Sequence, residues 1–285
     1  ITFSVKWLAE KTSLEQKEPI CVVPADAWID YERASWKGDI SEAHNLAEQG
    51  YIVTFGIPPT SPDTGYGYIS ADKEQPIGNT YKALSFVEKP DVANAEKFLK
   101  AGNYYWNAGM FVFSLETFSS EAEKYAPEFY SYLSPECTSA EKAFYDLPRS
   151  PIDKALMEKS SLITVKPFSL QWSDVGCWER VHETFSKDEN NNVSSGDVVL
   201  HNTRNSLIHS ESRLVTALDV EDLVIVETED AVLVAKKGSS QESIKAVHSS
   251  LAREKRKELS SFSTSYRPWG NYKTITKEEG HQIKK

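Results

Sequence analysis

Acidic side chains close several of the short apolar runs in this chain, and their company decides what chemistry they can do. "PICVVPAD" (19–26) ends on Asp26, "LSFVEKP" (84–90) carries Glu88 and Lys89, and "SLQWSDVGCWE" (169–179) sets Asp174 between two tryptophans. A carboxylate that close to bulky aromatic neighbours is costly to desolvate unless a positive group meets it. Asp26 and Asp174 lie far apart in sequence, yet each ends a strand-like run. Brought within about 4 Å of each other, they would repel by roughly 4 kcal/mol at an effective dielectric of 20. The fold must then keep them apart, protonate one, or put a cation between them. Mg2+ favours one or two carboxylates completed by phosphate oxygens and water, so two strand-end aspartates fit a Mg2+–phosphate site. "TGYGY" adds Gly65 and Gly67, where a backbone can approach a ligand closely, and "YYWNAGM" adds Asn107 beside Gly109. Each residue also has a plain reading: Asp26 as a turn residue, Asp174 as a helix cap, Lys89 as a surface lysine. Neither Walker spacing nor G-x-G-x-x-G occurs. Residue types and spacing alone therefore give a soluble α/β protein with an anionic-ligand cleft.

The elements that must position these residues alternate between strand and helix signals. "YIVTFGI" (51–57) reads as a buried strand, preceded by a helix over 39–50 with Asp39 as its cap and Gly50 as its stop. Strands are also expected at 84–90, 105–113 and 161–168, and helices at 91–101, 114–126 and 138–146. Such alternation predicts βαβ units and a mixed, mainly parallel sheet, with ligands beyond the carboxyl ends of the strands. After about residue 190 short apolar runs follow at close, loosely regular spacing, the pattern of a small all-β coil. A helix over 239–259 should bury Ile244, Val247 and Leu251, and a serine-rich link (260–265) leads to "YRPWGNYKTI". The expected divisions are 1–189, 190–259 and 260–285.

Bulk properties narrow the class. With 40% hydrophobic and 26% charged residues, the balance is that of an ordinary soluble globular protein. No apolar run approaches the roughly 18 residues of a membrane span. A net charge of −10 argues against nucleic acid or anionic lipid as a partner. Three cysteines without a close pair make neither a disulfide framework nor a zinc site and point to a reducing, cytoplasmic compartment. Both ends read as interrupted elements, so a fragment is expected.

"VVPAD", "VTFGIPPTSPDTGYGYI", "FVEKPD", "YYWNAGMFVF", "DKALMEKS", "WSDVGCWE" and "RPWGNY" follow one another with suitable gaps. Together, over nearly the whole chain, they resemble the bacterial mannose-1-phosphate guanylyltransferases (GDP-mannose pyrophosphorylases), often fused to a C-terminal phosphomannose isomerase. The resemblance implies a nucleotide-sugar transferase α/β domain, a short left-handed β-helix, and the start of a cupin-type isomerase domain at 260–285. It implies Mg2+ held by Asp26 and Asp174, with Glu88 and Lys89 on the sugar phosphate. It places Gly67 and Asn107 near the sugar, the Asn107 carbonyl accepting from hydroxyls, and Gly65 and Gly109 are kept as substrate-binding candidates from their loops. GTP and mannose 1-phosphate are the implied substrates, and a homo-oligomer is compatible with the family. Two departures stand out. The family's opening strand and glycine-rich loop are missing from this sequence, which predicts weak or no turnover by this polypeptide alone. Ala27 and Trp28 stand where the family usually has histidine after the first metal aspartate. A catalytically silent transferase-like subunit and a transferase for another sugar 1-phosphate remain the competing readings.

Overall fold

The six residues Ile52–Ile57 are buried at every position, so this segment must cross a sheet that is covered on both faces. The structure, a computed structural model, describes all residues except 31–35, 135–136, 138–143, 169, 240, 260–263, 268–269, 279–280 and 285; beyond residue 263 only backbone is described. It divides into two units, Ile1–Asp174 and Val175–Lys285. The first unit contains α1 (Thr2–Lys11), β1 (Pro19–Val22), β2 (Trp28–Ile29), α2 (Trp36–Glu48), β3 (Ile52–Ile57), β4 (Tyr68–Ile77) and β5 (Thr80–Val87). It continues with α3 (Val92–Ala101), β6 (Tyr104–Ser114), α4 (Leu115–Tyr125), α5 (Pro127–Leu133), a π-helical turn (Asp153–Met157), β7 (Ile163–Pro167) and β8 (Trp172–Ser173).

Six strands form one sheet in the order β1-β6-β3-β7-β5-β4, with β4 also pairing β6. The expected mixed sheet is present, but its balance is antiparallel. Among the described pairings of this sheet β3–β7 is parallel and the others are antiparallel. The reason is topological. β1 and β3 run in the same direction, as a βαβ reading requires, but β6 is threaded between them and opposes both. Alternation along the strands sends Ile52, Phe111 and Phe113 to one core layer, with Phe118 of α4. Val53, Phe55 and Val112 face the other layer, with Leu46 of α2 and Ala95 of α3.

Local signals account for most of the boundaries. Asp91 caps α3 by accepting from Asn94 N at 2.8 Å, and Gly102 ends it in the left-handed conformation at φ 72°. Asp39, expected as a cap, instead lies inside α2, which begins earlier, at Trp36. It is buried against Lys166, whose Nζ lies 3.4 Å from Asp39 and 2.6 Å from Glu42. Most of the helix expected at 138–146 falls outside the described residues. The β4–β5 hairpin turns on Gly78 and Asn79, where φ of +63° at Gly78 suits glycine.

The second unit contains α6 (Trp178–Thr184), β9 (Val193–Ser195), β10 (Val198–His201), β11 (Leu207–Ser210), β12 (Val215–Leu218), β13 (Leu223–Glu227) and β14 (Val232–Lys236). It ends with α7 (Gln241–Arg253), β15 (Thr264–Arg267), β16 (Gly270–Glu278) and β17 (His281–Lys284). β10 pairs β12, and β11 pairs both β9 and β13, all in parallel, so the chain coils and returns above itself. Corners of successive turns stack 17 residues apart: Asn202 donates to Asp219, and Asn205 to Asp222. All four corner residues have φ between 47° and 57°, a region that Asn and Asp tolerate better than most residues. Val193, Leu207, Val224 and Val226 form the core of this coil, with Trp178 and Val181 of α6 packed against it. α7 departs from expectation. Ile244 and Val247, read as buried, are 55% and 59% exposed, and α7 with β13 and β14 borders an open cleft of about 770 Å3.

Candidate active site

The two aspartates flank a two-residue ladder. β2 and β8 pair antiparallel, Trp28 opposite Ser173 and Ile29 opposite Trp172. Asp26 lies two residues before β2 and Asp174 directly after β8, and the strands are antiparallel. The widely separated acids thus reach the same end of one ladder. Asp26 is exposed and Asp174 half-buried. The Tyr66 hydroxyl donates to Asp174 Oδ1 at 2.8 Å. Tyr66 is itself buried, its ring centroid 4.9 Å from that of Trp106 and 5.7 Å from that of Trp172. Trp172, one of the two tryptophans that bracket Asp174 in the sequence, thus packs beside the tyrosine whose hydroxyl meets the acid. Val175, directly after Asp174, has φ 41°, an uncommon conformation for a β-branched residue.

Adjacent residues on the same segments build a second cluster. Gly67 follows Tyr66 and Asn107 follows Trp106, and Asn107 N donates to Gly67 O at 2.8 Å. A Cβ on Gly67 would sit 2.5 Å from Glu88 Oε2, so the missing side chain is what admits the Glu88 carboxylate. Lys89 Nζ lies 3.5 Å from Glu88 Oε1; the Glu88 side chain is 16% exposed and that of Lys89 is 66% exposed. Lys89 has φ 50°, a second strained non-glycine backbone at a candidate site residue.

Asn107 is more fully engaged than its sequence context indicated. Its Nδ2 donates to Asp153 Oδ1 at 3.0 Å, while its Oδ1 accepts from Thr54 Oγ1 and from Gly109 N, both at 3.1 Å. The carbonyl expected to receive a sugar hydroxyl thus already accepts from the Gly109 N–H and shares the single Thr54 hydroxyl proton with Met110 O, 3.3 Å from that hydroxyl. Gly109 has φ +68°, which turns its N–H back onto Asn107. Gly65 closes a loop by donating to Asp63 Oδ1 at 2.7 Å. Burial pushes the Glu88 carboxyl above its ordinary range, the nearby Asp153 charge adds to this, and Lys89 opposes it. Burial likewise raises Asp153, against the hydrogen bonds from its own backbone N–H and from Asn107.

Two residues of this arrangement escaped the sequence reading. Asp153 sits in "PIDKALMEKS", where no period or cap marks it, and it starts a π-helical turn, a rare geometry often found at functional sites. Tyr66 stands between Gly65 and Gly67 in "TGYGY", where only the glycines were singled out. No group of three or more His, Cys, Asp or Glu able to enclose a metal occurs among the described residues. An apolar cavity of about 530 Å3 in this unit, bordered by Phe118, Phe129, Tyr145 and Leu156, includes none of the polar residues above.

Residues 4–191 match the nucleotidyl transferase family model. The chain belongs to the nucleotidyl transferase family. Residues 196–251 match the MannoseP isomerase/GMP-like beta-helix domain, over the stacked turns described above. Among relatives of this chain, the alginate biosynthesis protein AlgA of Pseudomonas aeruginosa is 39% identical over 279 residues, covering 94% of this chain and 57% of that protein. The mannose-1-phosphate guanylyltransferase of Salmonella montevideo is 39% identical over 293 residues, covering 98% of this chain and 62% of its own length. The chain thus spans about three fifths of the curated relatives it matches. The crystal structure of the mannose-1-phosphate geranyltransferase from Thermus thermophilus superposes with a TM-score of 0.76 at 29% identity, covering 88% of this chain and 72% of that one.

Proposed function

We propose that this chain carries the nucleotidyl-transfer site of a mannose-1-phosphate guanylyltransferase, joining GTP and mannose 1-phosphate into GDP-mannose with release of pyrophosphate. The observation that carries this reading is the β2–β8 ladder, which brings Asp26 and Asp174 to one strand end. Family membership and the activity named for the Salmonella montevideo relative support it. The donor set fits a divalent cation. Two carboxylates offer hard oxygen ligands, and Mg2+ normally leaves its other positions to water and substrate phosphate. When bound there, the ion would supply charge neutralisation at the triphosphate.

The protein's own residues would do the rest. A phosphate oxygen of the sugar phosphate attacks the α-phosphorus of GTP, and the bond to the β-phosphate breaks as pyrophosphate leaves. The attacking phosphate already carries about −1.5 to −2 charge at neutral pH, so no side chain needs to remove a proton. What the reaction needs is alignment of two anions, and phosphoryl transfer is accelerated mainly by positioning and charge stabilisation. Lys89, on an exposed stem beside Glu88, would meet the sugar phosphate, and the carboxylates would accept from the ring hydroxyls. Tyr66 would orient Asp174. We assign residues 260–285 to the beginning of an isomerase domain, in keeping with the antiparallel strands β15–β17.

Pyrophosphate release by the intact gene product, with GTP and a panel of sugar 1-phosphates, tests the reading. Activity should be greatest with mannose 1-phosphate and should vanish on chelation. Asp174→Asn should cut it by at least about a hundredfold with an unchanged melting curve. Near-normal turnover by that variant would refute the role given to Asp174.

A further inference from the structure

We infer that Asp153 is a second hydroxyl-accepting carboxylate of the sugar subsite, beside Glu88 and held by a hydrogen bond from Asn107, which acts as its positioning residue. This inference rests on the proposed function and extends it to how the sugar is selected.

The hydrogen-bond inventory leads to it. An amide oxygen has two lone pairs, and those of Asn107 go to Thr54 Oγ1 and Gly109 N. Its Nδ2 donates to Asp153, and its backbone N–H donates to Gly67 O. Asn107 is thereby tied to three neighbouring segments, its oxygen sharing the single Thr54 hydroxyl proton with Met110 O. Asp153 differs. An ionised carboxylate has about four acceptor positions, and the bonds it receives from Asn107 and from its own backbone N–H leave room for more. Glu88 is placed where the bare Gly67 backbone lets Oε2 settle against the strand.

A Cβ on Gly67 would lie 2.5 Å from Glu88 Oε2 and 3.5 Å from Asn107 Cβ, so the Glu88 carboxylate and the Asn107 side chain that bonds Asp153 share one neighbourhood, and both acids offer acceptors there. A phosphate or carboxylate placed there would meet only repulsion, whereas hydroxyl groups donate and are accepted. With Lys89 beside Glu88 as the local cation, the subsite has a direction: a hydroxyl-rich ring against Glu88 and Asp153, and the ligand's single anionic group toward Lys89. The ligand class is a hexose 1-phosphate whose hydroxyls are unsubstituted on the face that meets these acids.

The intact gene product and its Asp153→Asn variant test this in three measurements. The KM for mannose 1-phosphate should rise roughly ten- to a hundredfold, the range for one charge-assisted hydrogen bond, while the KM for GTP stays within twofold. Among deoxy and N-acetylamino analogues, one position should cost the wild type heavily and the variant little, identifying the hydroxyl that Asp153 accepts. Thermal melting at neutral pH should show the variant at least as stable as the wild type, because a buried charge is removed while Asn107 keeps an acceptor; a purely structural acid would lose stability. Unchanged KM and unchanged analogue penalties would overturn the inference while leaving guanylyl transfer standing. Calorimetric titration with the same sugar phosphates separates the two failures: a wild type that binds none of them overturns both readings, and tight binding that the variant shares overturns this one alone.

Discussion

A single absent methyl group shapes one end of the site. Gly67→Ala would drive its Cβ into Glu88 Oε2, 2.5 Å away, and the flexible end of that side chain would swing off its acceptor position. The expected result is a roughly tenfold rise in KM for the sugar phosphate, about 1.4 kcal/mol, with the KM for GTP and the melting temperature held. Tyr66→Phe acts on the other substrate. Removing the hydroxyl from Asp174 Oδ1 should raise the half-saturating Mn2+ concentration several-fold in a direct titration by electron paramagnetic resonance, with the aromatic packing retained. At this scale several members of the candidate site could be picked out as candidates from the sequence. Asp26, Glu88, Lys89 and Asp174 stand where apolar runs stop, and strand ends are where such sheets put ligands. Tyr66 and Asp153 were not legible, because each acquires its partner across the fold, 108 and 46 residues away. The hydrogen bonds that the Asn107 side chain makes to Thr54 and Asp153 were hidden for the same reason.

Among the elements, two charged anchors invite measurement. Lys166 on β7 is 4% exposed and bridges Asp39 and Glu42 of α2. Burial pushes the Glu42 carboxyl up, but the hydrogen bonds from Lys166 and from the Asn79 N–H outweigh that and leave it below its ordinary range. Lys166→Met strands two partly buried acids and should cost about 3–5 kcal/mol, read as a lower urea midpoint. Glu227, at the end of β13, accepts from the backbone N–H groups of Glu211, Ser212 and Arg213 and from the Ser212 hydroxyl. Led by the Ser212 hydroxyl bond, these contacts lower its pKa from 4.5 to about 2. A depressed folded-state value stabilises above the unfolded pKa and is lost as pH falls toward the folded one. Stability of the second unit should therefore decline between pH 4.5 and about 2, and Glu227→Gln should flatten that decline in acid titrations followed by circular dichroism. Helices were read well where caps and glycines punctuate them, as with Asp91 and Gly102. β4 was missed because its outer half, Asp72 to Pro76, is polar and largely exposed, so the strand outlasts its apolar signal. The parallel bias of the sheet was over-read because no sequence period announces that β6 inserts between β1 and β3.

For the molecule as a whole, charge sets the terms of encounter. A chain of net charge −10 repels a nucleoside triphosphate at long range. Added salt screens that repulsion, the Debye length falling to about 8 Å at 0.15 M. At saturating Mg2+ the KM for GTP should hold or fall as salt rises from 50 to 200 mM, whereas a basic nucleotide-binding surface would show the opposite trend. No helix among the described residues is long and apolar enough to cross a membrane. The coil of the second unit was sensed in the sequence as a loose rhythm, because its regularity lies in corner conformations and not in the spacing of large side chains. That regularity behaves like a reading frame. With Asn202 over Asp219 and Asn205 over Asp222, each 17 residues apart, deleting one residue between these corners would throw both pairs out of step at once. Inserting a whole 17-residue rung would keep them in phase, so the length of this unit should change between relatives by complete rungs.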